Sequence, residues 1–156
     1  MYDITIISVG FIKEAYWRQA LGEYTKRLKP YVKLKSIEVK EEKINSVTNR
    51  LQILAREAEK IKKVLPSGAY LIALDRVGNS FTSNEWADKL VQWSKFGQPI
   101  VFIIGGPLGL AAEILNLVNN LVSLSKMTFT HQMTRVILLE QIYRGVTIQN
   151  GVTYHY

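Results

Sequence analysis

Three short runs of this chain are rich in apolar and β-branched residues without the strict alternation of a half-exposed strand: "DITIISV" at 3–9, "AYLIALD" at 69–75 and "IVFII" at 100–104. Such runs fit strands that are covered on both faces. The arrangement that covers a sheet twice is a parallel one with helices on each side. Helical periodicity fills the gaps. Tyr16, Trp17, Ala20, Leu21, Tyr24 and Leu28 recur at three and four, which predicts a helix ending near Pro30. Residues 49–64 read the same way and stop at "LPSG". "VKLKSIEV" at 32–39 alternates and predicts a half-exposed strand. Ser83 is the expected N-cap of a helix over 84–96, after a polar turn from Arg76. A short helix over 110–118, a last strand over 120–125 and a last helix over 131–149 complete an α/β reading: a parallel sheet flanked by helices, in one domain spanning 1–156.

Charge narrows the partners. Lys and Arg number 20 against 13 Asp and Glu, giving a net charge of +7. The excess is patterned: residues 13–35 carry Lys13, Arg18, Lys26, Arg27, Lys29, Lys33 and Lys35 against Glu14 and Glu23. A basic stripe on a small domain favours a polyanion, and nucleic acid is the commonest. The absence of cysteine excludes disulfides, thiolate metal sites and a cysteine nucleophile. The two histidines, His131 and His155, supply too few ligands to nucleate a metal centre, so no metal is expected. No run approaches the roughly 18 apolar residues of a membrane span. Asp3 stands where a signal peptide carries basic residues, so the cytoplasm is the expected compartment and no membrane partner is expected.

In an open α/β sheet, ligands bind beyond the carboxyl ends of the strands. "IVFIIGGPLGL" places Gly105, Gly106 and Gly109 at such an end, where backbone groups can approach a ligand closely. The order is not that of a dinucleotide fingerprint, Pro107 interrupts it, and the Walker lysine is missing. A second loop, "LSKMTFT", follows the last strand and brings more amides if its strand neighbours that of the first. Only Lys126 adds charge, so the pair suits a ligand with an adenine ring and little charge.

In the last helix His131 shares a face with Arg135 at i+4, as a substrate contact or as a support for the loop before it. Glu140 lies on the stripe Met133, Val136, Ile137 and Tyr143, so it needs a partner, and Arg144 at i+4 has the favoured orientation.

"VFIIGGPLG", "LSLSKMTFTH", "RVILLEQIYRG" and the terminal "YHY" resemble the ribosomal RNA large-subunit methyltransferase H family, within the SPOUT class of knotted methyltransferases. "ISVGFIKEAYW" and "EYTKRLKPY" extend the likeness across the chain, weakest at 40–60. The resemblance implies a C-terminal trefoil knot and a homodimer. It also implies S-adenosyl-L-methionine as methyl donor and transfer to N3 of a pseudouridine of 23S rRNA, in the large subunit or the assembled ribosome. It assigns the cofactor to Leu74, Gly105, Gly106 and the stretch Leu124, Ser125, Lys126, Met127, Thr128 and Phe129. Tyr154 and His155 reach the target base from the partner protomer, His155 handling the proton of N3 and Tyr154 stacking or positioning. Arg144, Arg135 and His131 are the candidate substrate-binding residues. Thr130 replaces the family's usual Pro, Gly145 its usual Ala and Tyr156 its usual terminal basic residue. The competing readings are a SPOUT methyltransferase of transfer RNA and a ribosome-binding factor without chemistry.

Overall fold

The computed structural model describes residues 1–44, 49–95 and 97–155. Strands β1 (Tyr2–Val9), β2 (Val32–Val39), β3 (Tyr70–Asn79), β4 (Ile100–Ile104) and β5 (Asn120–Val122) alternate with helices α1 (Ala15–Leu28), α2 (Arg50–Val64), α3 (Ser83–Ser94), α4 (Ala112–Leu117) and α5 (His131–Gln149). The sheet runs β2-β1-β4-β3-β5, and each pairing is parallel. All five carboxyl ends therefore lie along one edge.

The two-faced runs bury as their composition requires. Ile4, Ile6, Ile72 and Phe102 face α1, α3 and α5, meeting Leu28, Trp86, Leu90, Leu138 and Ile142. Ile7, Val9, Ala73, Val101 and Ile103 face α2 and α4, meeting Leu54, Ala58, Ile61 and Ile114. Each fully buried aliphatic or aromatic side chain contributes about 1.5–3 kcal/mol, so the central strands hold both layers.

Four local expectations change. The cap of α3 is Thr82, not Ser83: Thr82 Oγ1 accepts from the Glu85 amide at 3.3 Å, and Glu85 Oε2 accepts from the Thr82 amide at 2.7 Å. A capping box needs its carboxylate three residues after the cap, and Thr82 has that spacing. β3 continues to Asn79 through residues expected to turn, because Asn79 returns to pair with Val122, the residue that also pairs with Leu74. β5 stops at Val122, since Ser123 begins the loop by donating its hydroxyl to the Ser125 carbonyl at 2.9 Å. Along α5 the buried stripe is Leu138, Leu139, Ile142 and Val146, while Met133 is 39% exposed and Val136, Ile137 and Tyr143 are part-covered. Phe96, the expected end of α3, and Tyr156 lie outside the described residues.

Candidate functional site

The sheet order assembles the expected cofactor residues by a different route from neighbouring strands. β4 and β5 do not pair; β3 lies between them. Leu74 is in register with Ile104 on one side and Val122 on the other, so it sits between the starts of the loops 105–109 and 123–130. The glycine loop closes on itself, with the Gly109 amide donating to the Gly106 carbonyl at 3.0 Å. Its left-handed residue is Gly109 (φ 83°), not Gly105. A Cβ on Gly105 would stand 2.6 Å from the Gly109 carbonyl group, so the missing side chain is what lets the loop fold back. Arg50 of α2, which the sequence did not flag, donates Nη2 to the Leu108 carbonyl at 3.2 Å and braces this loop.

The second loop is ordered by small polar groups. The Met127 amide donates to Ser125 Oγ at 3.0 Å, and Thr130 caps α5 by accepting from the Met133 amide at 3.3 Å. Lys126, Met127 and Thr128 are exposed, while Leu124, Ser125 and Phe129 are half-buried. Leu74 and Leu124 pack against the same core. Apolar floor, backbone rims and one cation suit the ligand class expected from these loops.

Arg135 departs from expectation. Only 5% exposed, it pairs with Glu38 of β2, donates Nη2 to the Gly10 carbonyl, and holds Nη2 3.3 Å from His131 Nδ1. It does not present a surface contact; two of its three nitrogens are used inside the fold. An arginine only donates, so His131 Nδ1 accepts, and burial together with the neighbouring Arg135 charge holds the His131 pKa below its ordinary value. His131 also packs against Gly10, where a Cβ would lie 2.8 Å from its ring. His131 therefore supports the loop-to-helix junction. Glu38, the partner that fixes Arg135, looked in the sequence like an outward residue of an alternating strand.

The carboxyl end forms a second cluster. Arg144 donates Nε to Glu140 Oε1 at 3.0 Å, which is the expected pair. The tail folds onto it: Tyr154 donates its hydroxyl to Glu140 Oε1 at 3.2 Å and stacks edge-on against Tyr143, with ring centroids 4.8 Å apart. The Arg144 guanidinium lies 4.8 Å from the centre of the Tyr154 ring. Burial, and secondarily the nearby Tyr24 and Glu140, push the Tyr154 hydroxyl well above its ordinary pKa, so it remains a donor.

Residues 2–155 match the family model described as "Predicted SPOUT methyltransferase". The chain belongs to the SPOUT methyltransferase family. It is 45% identical over 152 residues to the "Ribosomal RNA large subunit methyltransferase H" of Caldicellulosiruptor saccharolyticus, covering 97% of this chain and 99% of that one. The protein of the same name from Acetivibrio thermocellus is 46% identical over 156 residues, covering 97% and 98%. A solved structure titled "a probable methylase family protein from Haemophilus influenzae Rd KW20" shares the fold at TM-score 0.54 and 15% identity, over 99% of this chain and 70% of that one. Among SPOUT methyltransferases, then, this chain is an α/β enzyme whose loops meet around Leu74. No helix among the described residues is long and apolar enough to cross a membrane.

Proposed function

We propose that this SPOUT methyltransferase, one domain over 1–156, acts in the cytoplasm on 23S rRNA of the large ribosomal subunit, methylating N3 of a pseudouridine. The observation that carries the reading is likeness over nearly the whole chain to proteins named for large-subunit ribosomal RNA. The basic stripe of α1 and β2 suits that substrate.

Leu74, Gly105, Gly106 and residues 124–129 hold the methyl donor, mainly through main-chain groups. When bound, S-adenosyl-L-methionine supplies an electrophilic methyl group on a sulfonium. The protein's task is then to align N3 with that methyl and to remove the N3 proton. His155 accepts the proton, Arg144 steadies charge spreading onto the flanking carbonyl oxygens, and Tyr154 positions the base. In the folded-back tail His155 Nδ1 lies 3.2 Å from Arg144 Nη1, so the tail must leave this contact before that nitrogen can take a proton.

The homodimer supplies a reason to leave. α5 has no separate polar face: Met133, Val136 and Ile137 share its far side with the Glu140–Arg144 pair and are not fully buried, which leaves a mixed surface for a second copy to cover. A second copy against α5 puts each tail within its partner's site. The trefoil knot belongs to the same reading and rests on the family likeness.

The test is tritium transfer from labelled S-adenosyl-L-methionine to large subunits, whole ribosomes and bulk transfer RNA. Label on the large subunit or ribosome, with digestion yielding N3-methylpseudouridine, is expected. Label only on transfer RNA would replace the substrate, and no heat on titration with the cofactor would remove the enzymatic reading.

A further inference from the structure

We propose that a cavity between α1, β2 and the first half of α5 seats one unpaired pyrimidine base of the RNA, a reading that deepens the proposed function and rests on it. The cavity measures about 310 Å³, the lower end of the range for small-ligand pockets. Its lining interleaves the polar Ser8, Thr25, Ser36, Glu38 and Arg135 with the apolar Ile6, Leu21 and Leu139.

Three observations select the occupant. First, Arg135 Nε is buried and has no hydrogen-bond partner, one of two such side-chain atoms among the described residues. Nη1 serves Glu38 and Nη2 serves Gly10 and His131, which leaves the Nε–H of this cavity-lining residue without an acceptor inside the fold. Second, Arg135 and Glu38 neutralise one another. A wall with no net charge repays neither a phosphate nor a free cation for its lost hydration, but it suits a neutral molecule. Third, hydroxyls alternate with aliphatic side chains around the lining: Ser8 and Ser36 can donate or accept, and Thr25, which donates to the Leu21 carbonyl at 2.8 Å, can accept. That combination matches a flat heterocycle with carbonyl oxygens and ring N–H groups at its edge and apolar faces, which is the chemistry of uracil.

The position suits an RNA-acting enzyme. Ser8 is in register with Ile104, the residue before Gly105, and Ile104 with Leu74, so the cavity and the proposed cofactor loops share one edge of the sheet. Both lie on the same face, since Ile6 and Leu139 join the core against which Leu74 and Leu124 pack. Ser36 is exposed on the edge strand β2 and marks the mouth. Arg18 and Lys29, exposed and spaced along the face of α1 that carries Leu21 and Thr25, flank the cavity where a phosphate backbone would pass.

The side-chain Nε–H resonance of Arg135, followed by NMR in the full-length protein, reads the pocket directly. Uridine is expected to move it and ribose is not. Ser36→Leu, a change at an exposed position that fills the mouth, is expected to abolish the uridine shift. It should raise KM for ribosomal substrate by about tenfold or more, with cofactor affinity and kcat near wild type. Thr25→Val is the second variant and should weaken both effects in the same direction. An Arg135 resonance unmoved by uridine, or wild-type KM in a folded Ser36→Leu protein, overturns the pocket. If the wild-type protein methylates no ribosomal substrate, the substrate reading fails instead, and the uridine titration still decides whether the cavity binds a base.

Discussion

Nη1 of Arg144 lies 3.2 Å from Nδ1 of His155. Because the guanidinium only donates, Nδ1 is the accepting nitrogen and the neutral ring carries its proton on Nε2, so the imidazole can take a proton only once this contact breaks. His155→Ala is expected to lower the neutral-pH methylation rate by about 10² to 10⁴, the range for a positioned general base. Raising the pH should recover part of the loss. Tyr154→Phe should cost less, since it removes the bond to Glu140 but keeps the ring against Tyr143. Single-turnover rates on ribosomes decide this, and wild-type rates in His155→Ala at every pH would assign the proton to water.

Gly105→Val should abolish cofactor binding while the protein stays folded. Its Cβ would meet the Gly109 backbone, so the loop opens and its amides no longer converge. Calorimetric titration alongside circular dichroism separates loop damage from unfolding, and wild-type affinity in the folded variant would move the cofactor elsewhere.

Mixing subunits tests the tail in trans. A Gly105→Val chain and a chain ending at Gly151 should each be inactive, and their heterodimer should regain activity because one of its two sites has an intact loop and a donated tail. Inactive mixtures with heterodimer present, shown by native mass spectrometry, would place each site within one chain.

Burial beside Arg135 lowers the folded-state pKa of His131 beneath its unfolded value of 6.5. The neutral ring is therefore the folded form. This contribution to stability is complete above pH 6.5 and is lost as the pH falls through the lower, folded-state value. His131→Asn should flatten that acid limb of the Tm profile relative to wild type, and parallel profiles would show that His131 does not titrate with folding.

Gly145 lies against α3, where an added Cβ would stand 2.7 Å from Leu90 Cδ1. Alanine gains about 1 kcal/mol of helix propensity but overpacks a filled core at about 1–3 kcal/mol. Gly145→Ala alone should therefore lower stability slightly. Combined with Leu90→Val, which shortens the obstructing side chain, the loss should be less than the sum of the two, read from urea denaturation of all four proteins.

The architecture was legible because the sheet's inner strands carry both-face burial in their own letters, as in "IVFII", and because Arg144 stands four residues after Glu140. Spacing alone also suggested that His131 and Arg135 touch. What it could not show was the third party: Glu38 is 97 positions away from Arg135 and looks like any outward residue of an alternating strand. Ser83 and Thr82 compete for one cap, and the Glu85 spacing, had it been counted from both, favours Thr82. The fold-back of β3 onto Val122 depends on backbone pairing, which leaves almost no mark in side-chain pattern beyond a glycine at 78.

α5 packs against both α1 and α3 and closes the core layer in which Phe102 of the sheet meets Trp86 and Leu90 of α3. It also follows all the other described strands and helices along the chain. During synthesis that half of the core stays uncovered until α5 has cleared the exit tunnel, and nascent chains cut short before α5 present an aromatic surface for chaperones and proteases to recognise.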